Sequence, residues 1–262
     1  MSSIVRFMKL DRFEPNRIVT SNLVSPKVLA AVRFVELLYV SAAMISVWAT
    51  ASSAGEYFRY FTNLTYFGLF SYLLASTIWS FGYLRQPVSE RAQWVKLGNP
   101  WWGRAHWLLY STVATYSIVV PIVFWTLLTA GMSSWSSLTW YQNLSVHALD
   151  GLFGAIVELT LNRHFLQPIH SVFVAVVMVF YMFLTFVVHK TQGLWVYPFL
   201  DWSQGPIAAA YYIGIAVGLF IIYFISLLIH KYRNKAFASR SIVVNGDLDS
   251  EYREYGDKME TV

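Results

Sequence analysis

Residues Ile169–His189 read IHSVFVAVVMVFYMFLTFVVH, a stretch of 21 residues without Asp, Glu, Lys or Arg. At about 1.5 Å per residue it makes a helix of about 32 Å, enough to cross the hydrocarbon core of a bilayer. Hydrocarbon offers no partners to backbone N–H and C=O groups, so a segment of this kind is helical when it spans. Five more apolar stretches of similar length surround it. The hydropathy pattern predicts helices over 28–50, 58–82, 105–128, 139–160, 169–189 and 206–230, separated by connections short enough to make sequence neighbours antiparallel neighbours. Pro121, inside the third, removes one backbone hydrogen bond and predicts a kink. The expected fold class is therefore all-α, a polytopic six-transmembrane-helix bundle over 28–230, with a cytoplasmic N-terminal segment at 1–27 and a cytoplasmic tail at 231–262.

Composition agrees. The chain is 56% hydrophobic and 18% aromatic, with mean hydropathy +0.48 and only 13% charged residues, about half the charge of a soluble domain. No cysteine is present, which excludes disulfides, thiolate metal sites and a cysteine nucleophile. Residues 1–27 contain basic side chains but no apolar core long enough for a cleavable signal.

Lys and Arg set the orientation. Arg6, Lys9, Arg12, Arg17 and Lys27 precede the first span. Arg85, Arg91, Lys96 and Arg104 follow the second, Arg163 follows the fourth, and Lys231, Arg233, Lys235, Arg240, Arg253 and Lys258 follow the sixth. The opposite side carries only Arg59 and Lys190. Both termini are thus expected in the cytoplasm, in an endomembrane such as the endoplasmic reticulum or in the plasma membrane. The net charge of +5 is accounted for by this membrane-flanking excess and implies no nucleic-acid partner. Lys231, Arg233 and Lys235 read as anchors at anionic headgroups. From Ser239 on, the tail is polar and reads as disordered.

Polar groups inside such a bundle are the informative ones, because hydrocarbon penalises them unless they pair or line a wet cavity. On this topology Thr62 lies about one turn into the second span and His147 about two turns into the fourth, both entering from the non-cytoplasmic face. His189 and the aromatic segment 193–202, with Trp195 and Tyr197, lie at the same level. Asn143, four residues before His147, and Asp150, three after, fall on its face of an α-helix and would fix its tautomer and basicity. Asn63 and Thr65 flank Thr62 as oxyanion donors. Each residue also has a plainer structural reading. A threonine in a membrane helix commonly bonds back to its own turn, His147 with Asp150 can stitch helices together, and Trp195 and Tyr197 fit an interfacial aromatic belt. Arg33 and Glu36, at i and i+3 in the first span, most simply neutralise each other. The sequons Asn63-Leu64-Thr65 and Asn143-Leu144-Ser145 sit within helices and are expected to stay unmodified.

Three blocks resemble the androgen-induced family of integral-membrane threonine hydrolases, its fungal members in particular. Tyr60-Phe61-Thr62-Asn63-Leu64-Thr65-Tyr66 is similar to the segment holding the family's nucleophilic threonine. Asn143–His147 is similar to its Asn-x-x-x-His segment, and Val188–Leu200, with Gly193-Leu194-Trp195-Val196-Tyr197-Pro198-Phe199-Leu200, to its Trp-Val-Tyr-Pro-Phe-Leu segment. The resemblance spans about 28–230. It implies a hydrolase of fatty acid esters of hydroxy fatty acids, with Thr62 as nucleophile and His147 as base. Leu144 stands where animal members carry an additional histidine.

The expected function is a membrane-embedded lipid esterase with a lipid ester as substrate, the bilayer as partner, and neither cofactor nor metal. Two other classes fit the composition. Histidine layers, His106 with His170 and His147 with His189, could ligate haems in a transmembrane redox protein. A lipid transporter or receptor would need the cavity but no chemistry.

Overall fold

The computed structural model describes residues 3–129 and 132–245. Six helices in it are long and apolar enough to cross a membrane: α1 (Pro26–Thr50), α2 (Phe61–Arg85), α3 (Pro100–Leu127), α4 (Ser137–Leu161), α5 (His170–Gln192) and α6, apolar over Pro206–Phe237 and helical to Asn245. No strand occurs among the described residues. The expected spans are met within a few residues, except that α6 runs well past 230. Of the tail read as disordered from Ser239, residues 239–245 continue α6, and residues 246–262 lie outside the described residues.

Local chemistry sets most helix starts. Ser25 Oγ accepts from Val28 N–H at 3.4 Å and Pro26 opens α1. Asn99 Oδ1 accepts from Trp101 N–H at 3.0 Å with Pro100 following, and Ser136 Oγ caps α4 through Thr139 N–H at 3.2 Å. Gly193, at φ 71°, ends α5 in the left-handed conformation. Helices α2 and α5 start without such a cap, since neither Tyr60 nor Ile169 supplies a side-chain bond.

Helix α3 is the central one. Its most apolar window is 67% buried, against 17% for α6, and it packs on α2, α4, α5 and α6. It continues through Pro121. Helix α4 meets it through glycines: a Cβ on Gly151 would stand 2.9 Å from the Ser117 carbonyl, and one on Gly154 would collide with the Ser117 side chain. That approach resembles the small-residue contacts by which membrane helices associate. Within α4, Ser145–Leu149 and Gly151–Val157 are wound as π-helix.

The bundle has two dissimilar ends. The connections at 51–60 and 193–205 form an aromatic end. The segment before α1 and the 162–169 loop form a basic end, where Arg17 Nη1 donates to Arg163 O at 2.9 Å and Trp107 Nε1 to Phe165 O at 2.6 Å. Arg233 is not a headgroup anchor. It is buried and donates to the carbonyls of Leu159 and His164, placing a guanidinium on the negative end of α4.

The expected Arg33–Glu36 pair does not form. Arg33, fully buried, makes a two-pronged bond to Glu158 of α4 at 2.8 and 2.9 Å. Tyr72 Oη and Asn162 Nδ2 donate to the same carboxylate at 2.6 and 3.1 Å. A carboxylate on a facing helix can meet the planar guanidinium edge-on.

Candidate functional site

Thr62 is the second residue of α2, at the helix's positive end, where the first N–H groups have no intrahelical acceptor. The missing cap comes from far along the chain: Phe61 N–H donates to Tyr197 Oη at 3.0 Å. The Tyr197 hydroxyl also interacts with the Thr62 hydroxyl and backbone and with the Tyr181 hydroxyl. Burial among these groups raises the Tyr197 pKa, so the phenol stays protonated and can donate. Tyr181 Oη in turn donates to Arg59 O at 2.9 Å. Its ring and the Phe61 ring lie 4.7 Å apart, and the Tyr197 ring stacks on Phe199 at 5.2 Å and 7°.

Thr62, Phe61, Tyr181 and Tyr197 wall one end of a cavity of about 160 Å³. The remaining wall is apolar: Val119, Val120, Val123, Phe124 and Leu128 from α3, Met178, Val179 and Met182 from α5, and Ile215 and Ala216 from α6. Phe199 and Leu200, from the segment after α5, complete the lining. A hydroxyl at a helix N-terminus, beside a phenol and facing a hydrocarbon-lined space, suits a lipid whose polar linkage sits at one end of a long chain. A larger open groove of about 570 Å³, lined by Trp79, Trp94 and Arg85, holds no nucleophile or base.

His147 is buried near this cavity but does not line it. The Phe124 ring lies flat on its imidazole, centroids 3.4 Å apart and planes 5° apart, while also lining the cavity. Among the described residues no hydrogen bond joins His147 to Thr62, and His147 Nδ1 has no protein partner. Trp125 Nε1 donates to the His147 carbonyl at 2.8 Å, which pins the backbone.

The supporting residues are placed differently from the expectation. Asp150 accepts from Ser117 at 2.8 Å, and Asn143 is half-exposed, one segment before the π winding. The expected common face assumed 3.6 residues per turn, and the wider π turn between 145 and 157 turns Asn143, His147 and Asp150 out of line. Asn63 Nδ2 donates to Tyr57 O at 2.8 Å and Thr65 Oγ1 to Thr62 O at 3.0 Å, so both serve local backbone and neither lines the cavity. His189 stacks on Trp195 at 4.0 Å and 10°, and neither lines the cavity.

The imidazoles expected in two haem layers have other neighbours. Ser76 Oγ meets His106 Nε2 at 2.7 Å. His170 takes Ser111 at 3.1 Å and donates to Met8 O at 3.0 Å. Among the described residues no three His, Cys, Asp or Glu side chains are grouped to hold a metal.

Sequence reasoning missed the capping role of Tyr197, the screen formed by Phe124, and the Ser76–His106 pair. Phe124, one apolar residue among many in its span, carries no local mark of what it will stack on. The Ser76–His106 pair joins two spans, and only packing reveals it. No protein-family model, curated protein or solved structure matches this chain.

Proposed function

We propose that this chain is a membrane-embedded esterase of lipid esters, fatty acid esters of hydroxy fatty acids among them, with Thr62 as the nucleophile. The observation that carries this reading is Thr62 lining an apolar cavity at the N-terminus of α2 together with Tyr197, whose hydroxyl takes the neighbouring Phe61 N–H. The resemblance of residues 60–66, 143–147 and 188–200 to membrane threonine hydrolases supports it.

In this mechanism the acyl chain lies among the α3, α5 and α6 side chains, and the ester carbonyl reaches the end of α2. Thr62 Oγ attacks the carbonyl carbon and its proton passes to His147. The Tyr197 hydroxyl donates to the developing oxyanion, and the alcohol leaves with a proton returned by His147. Water then cleaves the acyl-threonine by the same route. For His147 to take part, the Phe124 ring has to swing off the imidazole. The aromatic end would face away from the cytoplasm, since the basic end carries the Lys and Arg excess.

A second reading, a lipid-binding pocket without chemistry, is favoured by one observation, the Phe124 screen over His147. Fluorophosphonate labelling separates the two. The purified protein is treated with the probe and the labelled residue is mapped, alongside turnover of a lipid-ester panel. Label on Thr62 with turnover supports the esterase. A folded protein with neither label nor turnover leaves the binding pocket.

A further inference from the structure

Away from the cavity, the middle of the bundle holds a second set of titratable groups that the proposed esterase does not use. Its centre is the Arg33–Glu158 pair, which is complete in itself. The two charges cancel, and Tyr72 and Asn162 occupy the rest of the carboxylate. Beside it stands Glu36, one turn along α1 and 5% exposed, with neither carboxyl oxygen bonded to any group among the described residues. The charged groups acting on Glu36 are Arg33 on its own helix and Glu158 on α4. Tyr72 on α2 is committed to Glu158, and Tyr39, further along α1, to Ser145 at 2.8 Å. Asp150 on α4 is held by Ser117. A second carboxylate here has no counter-charge left to neutralise it.

One imidazole stands on the other partners of this cluster, Tyr72 and Ser76, and a second lies beside it. His106 stacks on Tyr72 at 4.7 Å, and its ring lies 5.4 Å from that of His164. His106 Nδ1 and His164 Nε2 are both buried and without a partner among the described residues. His164 sits in the 162–169 loop. Burial, then His106, Arg33, Arg233 and Arg17, hold its pKa well below the usual value, so it transmits charge and does not store it. A purely structural polar network satisfies its members. Here three titratable groups in sequence keep a free donor or acceptor.

We propose that Glu36 is a proton-binding site inside the membrane, carrying its proton as the neutral acid and exchanging it with the basic end through His106 and His164. On release, the Glu36 proton passes by way of the Ser76 hydroxyl to His106 Nε2, while His106 Nδ1 gives one up to His164 Nε2 and the other nitrogen of His164 releases one in turn. Both imidazoles end neutral, and the carboxylate is the only new charge. Uptake is the reverse.

The test is infrared spectroscopy of the full chain in lipid nanodiscs. The wild type should show a protonated-carboxyl C=O band that shifts on transfer to D2O, moves when carboxyl-¹³C glutamate is incorporated, and is lost in Glu36→Gln. Asp150→Asn should retain it. In His164→Phe the band should persist without completing its deuterium shift over the time the wild type needs. A band that survives in folded Glu36→Gln, ignores the glutamate label, or never shifts in D2O overturns the site. The wild-type label and D2O arms decide the matter even where Glu36→Gln fails to fold. An unaltered shift in His164→Phe overturns the route.

Discussion

Phe124 lies flat against His147 with ring centroids 3.4 Å apart and also forms part of the cavity wall that Thr62 shares. One aromatic ring thus separates the two groups that the sequence pairs as nucleophile and base. Rotation of its side chain would join them in a single space, and buried aromatic rings reorient without unfolding the helix that carries them.

Replacing Phe124 by Leu keeps the apolar volume but removes the flat ring. The Phe124→Leu protein should react with fluorophosphonate faster by about tenfold, equivalent to about 1.4 kcal/mol of barrier. The wider Phe124→Trp should slow it. Labelling rates that are the same in wild type and both variants would mean that the ring does not control access to His147.

Tyr197 is tested by removing one oxygen. Tyr197→Phe retains the stack on Phe199 but loses the acceptor for Phe61 N–H. The lost bond should cost about 1 kcal/mol of stability, while ester turnover falls by roughly 100-fold if the phenol donates to the oxyanion. A kcat within a factor of about two of wild type would confine Tyr197 to capping α2.

Much of the fold is legible in the sequence because membrane helices announce themselves by length and hydropathy, and spans such as 169–189 need no neighbour to be recognised. The level of Thr62 and Tyr197 is legible for the same reason. What a side chain faces within the bundle is not. Arg33 sees Glu36 in sequence but Glu158 in space, because a partner on another helix leaves no trace at i+3 or i+4. The alignment of Asn143, His147 and Asp150 is lost to a π winding that hydropathy does not encode. Arg233 reads as a headgroup anchor by position, yet ends up capping α4.

The Arg33–Glu158 pair gives a stability prediction that separates it from Glu36. Glu158→Gln leaves a buried guanidinium without its counter-charge and should destabilise the protein by about 3–5 kcal/mol. Glu36→Gln removes no bond and should shift stability by less than about 1 kcal/mol. Thermal unfolding of the two variants in the same detergent checks the order. Equal losses would place Glu36 in the ion pair after all.

His164 links stability to pH. Its pKa in the folded protein lies well below the usual value because it is buried, whereas in the unfolded chain it titrates at about 6.5. The unfolded state therefore binds the proton first as pH falls. The contribution of His164 favours folding least at low pH, declining as pH drops below about 6.5 and staying constant above it. His164→Gln should flatten the stability profile between about pH 7 and pH 5. A profile of the variant that parallels wild type would show that His164 does not titrate differently on unfolding.

Thr62 decides between chemistry and binding. Thr62→Ala should abolish both turnover and labelling while the protein still folds, because the side chain lost is small and faces a cavity. The expected stability change is on the order of 1 kcal/mol. Thr62→Ser keeps the hydroxyl but releases χ1, which the β-branch restricts, so labelling should persist at a reduced rate. His147→Ala should also lose turnover, since a neutral alcohol without a base is a poor nucleophile. Ser76→Ala is the control. The hydroxyl it removes already sits on an imidazole at 2.7 Å, but it is fully buried and outside the cavity, so labelling should be unaffected. Should Thr62→Ala retain turnover while Ser76→Ala loses it, the nucleophile is the buried serine and the cavity beside Tyr197 is a binding site alone.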